Sequence, residues 1–330
     1  MKFVAVAASA LALAVSGLAQ AQPIVVKFSH VVAEQTPKGK AALKFKELAE
    51  SLTKGRVKVE VYPNSSLFKD GEEMEALQLG SVQMLAPSVS KFGPLGAREF
   101  EIFDLPYIFD NFDELHKVTN GPVGAMLFKK LEAKGIVGLA YWDNGFKEMS
   151  ANKPIKVPAD YKGLKMRIQS SKVLGDEMKA LGAIPQVMAF SEVYQALQTG
   201  VVDGTENPPS NFYTQKMQEV QKYLALTDHG VIEYAVIVNK KFWDGLPADV
   251  RGELQEAMKQ ATTYANDIAK QENDDALEAV RKSGKTQILA LTAAEKAQMK
   301  RALVTVHREN ESRVGKDALA AVYKATGFKP

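Results

Sequence analysis

No cysteine occurs among the 330 residues, so disulfide staples and thiolate metal ligands are excluded. A lipid-modified N-terminal cysteine is excluded with them, and a mature chain free of any tether is expected. Histidine is almost as scarce. His30, His116, His229 and His307 are scattered, with no metal-ligand spacing. Beyond the first few residues no apolar run approaches the roughly 20 residues of a membrane-spanning helix. Basic runs are missing too: 42 Lys+Arg stand against 39 Asp+Glu, evenly mixed, which argues against a nucleic-acid partner. There is no GxSxG elbow, no HExxH, no Walker loop and no GxGxxG. The neighbours Ser29-His30 and Asp228-His229 point to opposite faces of a strand, so a catalytic triad is not expected, and nothing calls for a cofactor.

What is present begins with an export signal. Lys2 precedes the apolar run VAVAASALALAV, and Ala19-Gln20-Ala21 is a small-x-small cleavage site, so residues 1–21 read as a signal peptide removed after Ala21. A soluble exported protein of this kind fits the periplasm. The remaining length is ample for a large core and suggests two lobes.

From Ile24 the pattern is strand, helix, strand. IVVKFSH opens it, Thr36-Pro37 starts a helix with Ala41, Leu43, Phe45, Leu48 and Leu52 on its apolar face, and VKVEVY alternates as a second strand. A helix from about Gly71 stops at Gly80, and Val82–Leu85 is a short strand. Strands alternating with helices at this interval indicate parallel α/β layers. An echo supports two similar lobes. ALQLGSVQ at 76–83 and ALQTGVVD at 196–203 each close a helix with glycine and open a strand, although such junctions are common enough to coincide by chance. The aromatic run 100–118 reads as core packing beneath Leu105-Pro106. Ile136–Trp142 is a buried strand that Asp143-Asn144-Gly145 turns. Pro154, Pro158 and Gly163 mark a first crossing between lobes, with the return near His229-Gly230. Pro247 to Lys282 reads as one helix of about 36 residues, roughly 54 Å at 1.5 Å per residue, long enough to brace both lobes. Two helices broken near 272–275 are the alternative. The expected organisation is therefore lobe I from 22–150 plus about 231–250, lobe II from 151–230, and C-terminal helices shared between them.

The stretch GLKMRIQSS, residues 163–171, carries the strongest hint of function. Leu164, Met166 and Ile168 alternate with Lys165, Arg167 and Gln169, and Ser170-Ser171 offer an N-cap to the following helix. An arginine at a strand end can meet a carboxylate with its rigid fork. On that stretch alone, a solvated edge-strand arginine is the simpler reading. The case rests on joint placement. His30, Lys147, Arg167 and Asn207 fall at strand ends, where open α/β sheets collect ligands, with Lys38 and Lys91 in nearby segments. Several cations and one amide suit a small anion carrying two charges.

With FSHVVAEQTPKG, FDLPYIF, YWDNGFKEMS, GLKMRIQSS, VDGTENPP and the long helix in order, the mature chain resembles the solute receptors of tripartite ATP-independent periplasmic (TRAP) transporters. It is nearest their C4-dicarboxylate-binding branch. The resemblance implies an α/β, two-lobed periplasmic-binding-protein fold with crossing strands and a long helix spanning both lobes. It implies no catalysis, a monomer, and a two-component membrane permease as partner. It places the carboxylate clamp at Arg167, an amide contact at Asn207, a second cation at Lys147, and first-lobe cations at Lys38 and Lys91. Sialic-acid receptors of this kind carry arginine after NGF, so Lys147 argues against that ligand. Another organic acid (a sugar acid or 2-oxo acid) and, outside the class, a periplasmic hydrolase or isomerase are the alternatives.

Overall fold

The computed structural model describes residues 22–330, so the signal-peptide segment lies outside the described residues. Two sheets organise the chain. The strands are β1 (Ile24–Ser29), β2 (Val57–Tyr62), β3 (Met84–Leu85), β4 (Ile136–Phe146), β5 (Glu148–Ala151), β6 (Lys165–Ile168), β7 (Ile184–Val187), β8 (Gly204–Asn207), β9 (Tyr223–Leu226), β10 (Val231–Asn239) and β11 (Gln287–Ala290). The first sheet has the order β2-β1-β3-β10-β4 and the second β11-β9-β5-β8-β6-β7. In the first, β2 and β3 run parallel to β1, whereas β10 is antiparallel to its neighbours β3 and β4. In the second, β7 and β8 run parallel to β6.

The echo is structural. Gly80 (φ 79°) and Gly200 (φ 74°) both take the left-handed conformation that ends a helix without a Cβ penalty. The next strand begins four residues later in each case, at Met84 and at Gly204, and each lies inside its sheet.

The chain passes between sheets at Phe146–Glu148 and again between Leu226 and Val231. The first passage precedes the expected 150–163 because Asp143-Asn144-Gly145 does not turn. It continues β4, an 11-residue strand. Turn residues hold a strand here because their buried side chains find partners: Asn144 Nδ2 donates to Tyr234 Oη at 2.9 Å, and Asp143 Oδ2 lies 2.7 Å from Nε2 of the half-buried His116. The strands β5, β9 and β11, short and flanked by polar residues, have no clear period in the sequence.

The long helix is continuous from Ala248 to Ser283, 36 residues, with a left-handed glycine cap at Gly284. Its buried stripe runs Val250, Leu254, Met258, Ala261, Ala265, Ala269, Asn273, Ala276 and Val280. The part up to Ala265 packs with Phe28, Phe45 and Trp142 of the first lobe, and Val280 packs with Val193 and Leu197 of the second. The one polar member of the stripe, Asn273, falls beside the passage between sheets. Its Nδ2 donates to Asn144 O at 2.6 Å and to Ala269 O at 2.8 Å, and its Oδ1 accepts from Ser210 N at 3.0 Å. The aromatic run around Leu105-Pro106 is core: Phe100, Phe103 and Phe109 are buried, with Phe92 and Phe100 stacked at 4.3 Å.

Candidate functional site

The cleft between the sheets is closed. Val31 and Val32, which follow β1, pack into the apolar cluster of Phe190, Val193 and Phe212 from the second lobe. At the floor of the cleft lie two adjoining cavities of about 20 and about 100 Å³, which share Asp70, Lys91, Arg167 and Gln169. Asn207, Ser88, Asn211 and Tyr234 line the smaller one. Arg167, Gln169 and Asn207 sit at or just past the carboxyl ends of β6 and β8, and Ser88 and Lys91 in the segment after β3, where open α/β sheets collect ligands; Asp70 comes from the segment after β2 and Tyr234 from within β10. A larger concavity of about 720 Å³ lies along β4 and the long helix, but its only cation is Lys259, so it lacks the convergent charges of the cleft.

Arg167 is buried, with 2% of its surface exposed, and its Nε and Nη2 donate to Met188 O at 3.0 and 2.8 Å. Its guanidinium lies over the Phe190 ring, 5.7 Å from the centroid. Burial lowers its basicity, and Asp70 and Glu206 oppose that. Since Arg offers five N–H donors in a fixed fork, two spent on one carbonyl orient the plane while leaving the rest for an anion. Among the described residues, Nη1 makes no hydrogen bond.

Lys91 faces Arg167 from the first lobe and is ion-paired to Asp70 and to Glu73, the latter at 3.2 Å. Burial works against its charge, but Asp70 and Glu73 outweigh burial and hold it firmly protonated. Burial likewise opposes charge on Asp70, yet Lys91 brings that carboxyl down to about 2. Glu73, fully buried, is pushed the other way by burial.

Asn207 lines the cavity, with its Nδ2 donating to Thr205 Oγ1 at 3.4 Å. Three other sequence-derived positions do not line it. Lys38 lies behind Tyr234, its Nζ 3.6 Å from the ring centroid and donating to Ala86 O at 2.8 Å. Burial, then Lys91, lowers its pKa well below the usual lysine range. His30 is buried next to it and kept neutral, its pKa reduced to about 3 by burial and then by Lys38. Lys147 is wholly buried at the passage between sheets, its Nζ 2.5 Å from Glu206 Oε2.

Around Lys147 stands a buried group that the sequence reading missed. His229 Nε2 lies 3.0 Å from Glu206 Oε2 and 3.8 Å from Glu177 Oε1. Burial opposes ionisation of Glu206, but Lys147 outweighs it and holds the carboxyl at about 2; burial pushes Glu177 up and His229 down. The two carboxylates and the imidazole have metal-like proximity, yet the Lys147 ammonium already sits against Glu206 as their counter-charge. Asp70, Gln169 and Ser88 were missed as well. Gln169 directly follows the end of β6 and Ser88 comes three residues after β3, so the strand-end rule that located Arg167 could have found them. Nothing local marks Asp70.

Two α/β lobes closed over a small cavity, with an arginine from one and a lysine from the other, define a receptor for a small anion. The chain belongs to the bacterial extracellular solute-binding protein family 7, whose profile matches residues 28–313. It is 66% identical over 321 residues, 97% of this chain and 96% of the relative, to the C4-dicarboxylate-binding periplasmic protein DctP of Rhodobacter capsulatus. A TRAP periplasmic solute-binding protein from Shewanella oneidensis with bound succinate superposes with a TM-score of 0.90 at 43% identity, covering 92% of this chain and 99% of that one. A counterpart from Pseudomonas aeruginosa PAO1 with bound L-malate gives 0.85 at 42% identity, covering 87% and 100%.

Proposed function

We infer that this chain is a periplasmic receptor that closes on a C4-dicarboxylate, such as succinate, fumarate or malate, and delivers it to the membrane permease of a TRAP transporter. The observation that carries the reading is the placement of Arg167 and Lys91 on opposite lobes around shared cavities. A cation on each side lets a ligand with two carboxylates bridge the lobes, so its binding energy favours the closed state. Asn207, Gln169 and Asn211 supply donors for oxygens the cations do not reach. Ligand capture and release, with no bond made or broken, is what this arrangement supports.

Thermal shift against a panel of organic acids tests the reading. A ligand that binds only the folded chain stabilises it by RT ln(1 + [L]/Kd), about 2.7 kcal/mol at one hundred times Kd. Succinate, fumarate or malate should raise the melting temperature well above any neutral sugar. A shift by sugar acids or 2-oxo acids alone assigns a different acid to the cleft, and turnover of a bound compound assigns an enzyme.

A further inference from the structure

The two oxygens of Asp70 are divided between the lobes. Oδ1 meets Lys91, on its own side of the cleft, and Oδ2 accepts from the Phe190 backbone N–H at 2.6 Å, on the other. Beside it, Lys69 Nζ lies 3.7 Å from Glu192 Oε1, a second and more exposed contact between the same two segments. The segment Met188–Phe190 is thus held at both ends: Met188 O takes two donors of Arg167, and Phe190 N gives its proton to Asp70. The Phe190 ring in turn lies against the Arg167 guanidinium.

We propose that Asp70 is a positioning residue that latches the closed cleft and, through Met188–Phe190, fixes the fork of Arg167 in its binding orientation. The proposal rests on the receptor reading but concerns a residue that does the work of a bolt. When the lobes part, Phe190 leaves Asp70, the segment loses one of its two ties, and Arg167 loses its fixed plane. Closure and the aim of the arginine are therefore one event. Only a fully ionised Asp70 serves both partners well. Lys91 secures that state, since its ammonium holds the half-buried carboxyl far below neutrality.

The test uses the full mature chain and exploits its lack of cysteine. Spin labels attached through Glu75→Cys and Gln198→Cys, both at exposed positions on opposite lobes, report the width of the cleft with and without succinate. Succinate association and dissociation rates are measured on the same proteins. Asp70→Ala should shift the distances longer and raise the dissociation rate on the order of tenfold, the scale of one hydrogen bond to a charged group, leaving association nearly unchanged. Asp70→Asn keeps an acceptor for Phe190 and should fall between, which guards against an alanine variant that merely misfolds. Wild-type distances in Asp70→Ala under both conditions overturn the latch. So does a change confined to the association rate. If the wild type fails to bind succinate yet Asp70→Ala still widens the cleft, the latch stands and the dicarboxylate assignment falls.

Discussion

Lys147 and Glu206 form a fully buried ion pair, 2.5 Å between Nζ and Oε2, at the place where the chain passes from one sheet to the other. The lysine that follows NGF therefore balances buried acids behind the cleft. Breaking such a pair from one side leaves an uncompensated buried charge and typically costs about 3–5 kcal/mol. Lys147→Met should lower the urea midpoint of the ligand-free protein sharply, because Glu206 and Glu177 lose their counter-ion. A variant with wild-type stability and selectively weakened binding would instead return Lys147 to the ligand.

Arg167→Lys separates the fork from the charge. A lysine cannot hold Met188 O and a carboxylate in one plane, so binding should weaken on the order of 100-fold, with hydrogen bonds to charged groups contributing roughly 1.5–3 kcal/mol each. The unliganded protein should lose only modest stability, since one carbonyl partner is at stake. Calorimetric titration beside a denaturation curve distinguishes the two effects. Equal affinity in the variant removes Arg167 from the site.

Gly145 and Asn273 give a test of the packing beside the passage between the sheets. A Cβ built on Gly145 would stand 2.6 Å from Asn273 Nδ2 and 2.9 Å from its Cγ. That amide is tied to Asn144, Ala269 and Ser210, so it cannot step aside freely. Gly145→Ala should cost about 1–3 kcal/mol, as overpacking does. Combined with Asn273→Ala, which vacates the space, it should cost less than the sum of the two single changes. Strict additivity in the double variant argues against the clash.

The long helix, the repeated helix–glycine–strand unit and the strand-end positions of Arg167 and Asn207 were legible in the sequence because each follows from a local rule: periodicity, capping, or the end of a strand; Lys91 came only from its nearby segment and the family resemblance. Lys147 was misplaced through the Asp143-Asn144-Gly145 turn signal, which buried partners on β10 and His116 override. Asp70 was invisible for another reason. An acid in a loop ordinarily faces water, and this half-buried one finds its partners in Lys91 and in the distant Phe190 N–H.

His30 predicts a pH effect with a definite sign. Its folded pKa is about 3, below the ordinary 6.5, because burial and Lys38 disfavour the charged ring. The unfolded chain takes the proton first, so this contribution to stability is present above pH 6.5 and is lost as pH falls through the window down to 3. Between pH 6.5 and about pH 5 the loss amounts to about 2 kcal/mol. Asp104, raised to about 7 chiefly by burial, works in the opposite direction in both proteins and cancels in the difference. Urea midpoints of the wild type and His30→Gln should converge as pH is lowered over this range. Parallel pH curves contradict it.

Calorimetric titration of the mature wild-type chain with succinate and, in parallel, with butyrate tests the two-cation cleft most directly. The two ligands share a four-carbon length and differ by one carboxylate. With the uncommitted N–H donors of Arg167 on one lobe and the ammonium of Lys91, shared with Asp70 and Glu73, on the other, succinate should bind at least about 100-fold more tightly, about 2.8 kcal/mol. Equal affinities, or binding of neither while a neutral sugar binds, contradict a dicarboxylate receptor.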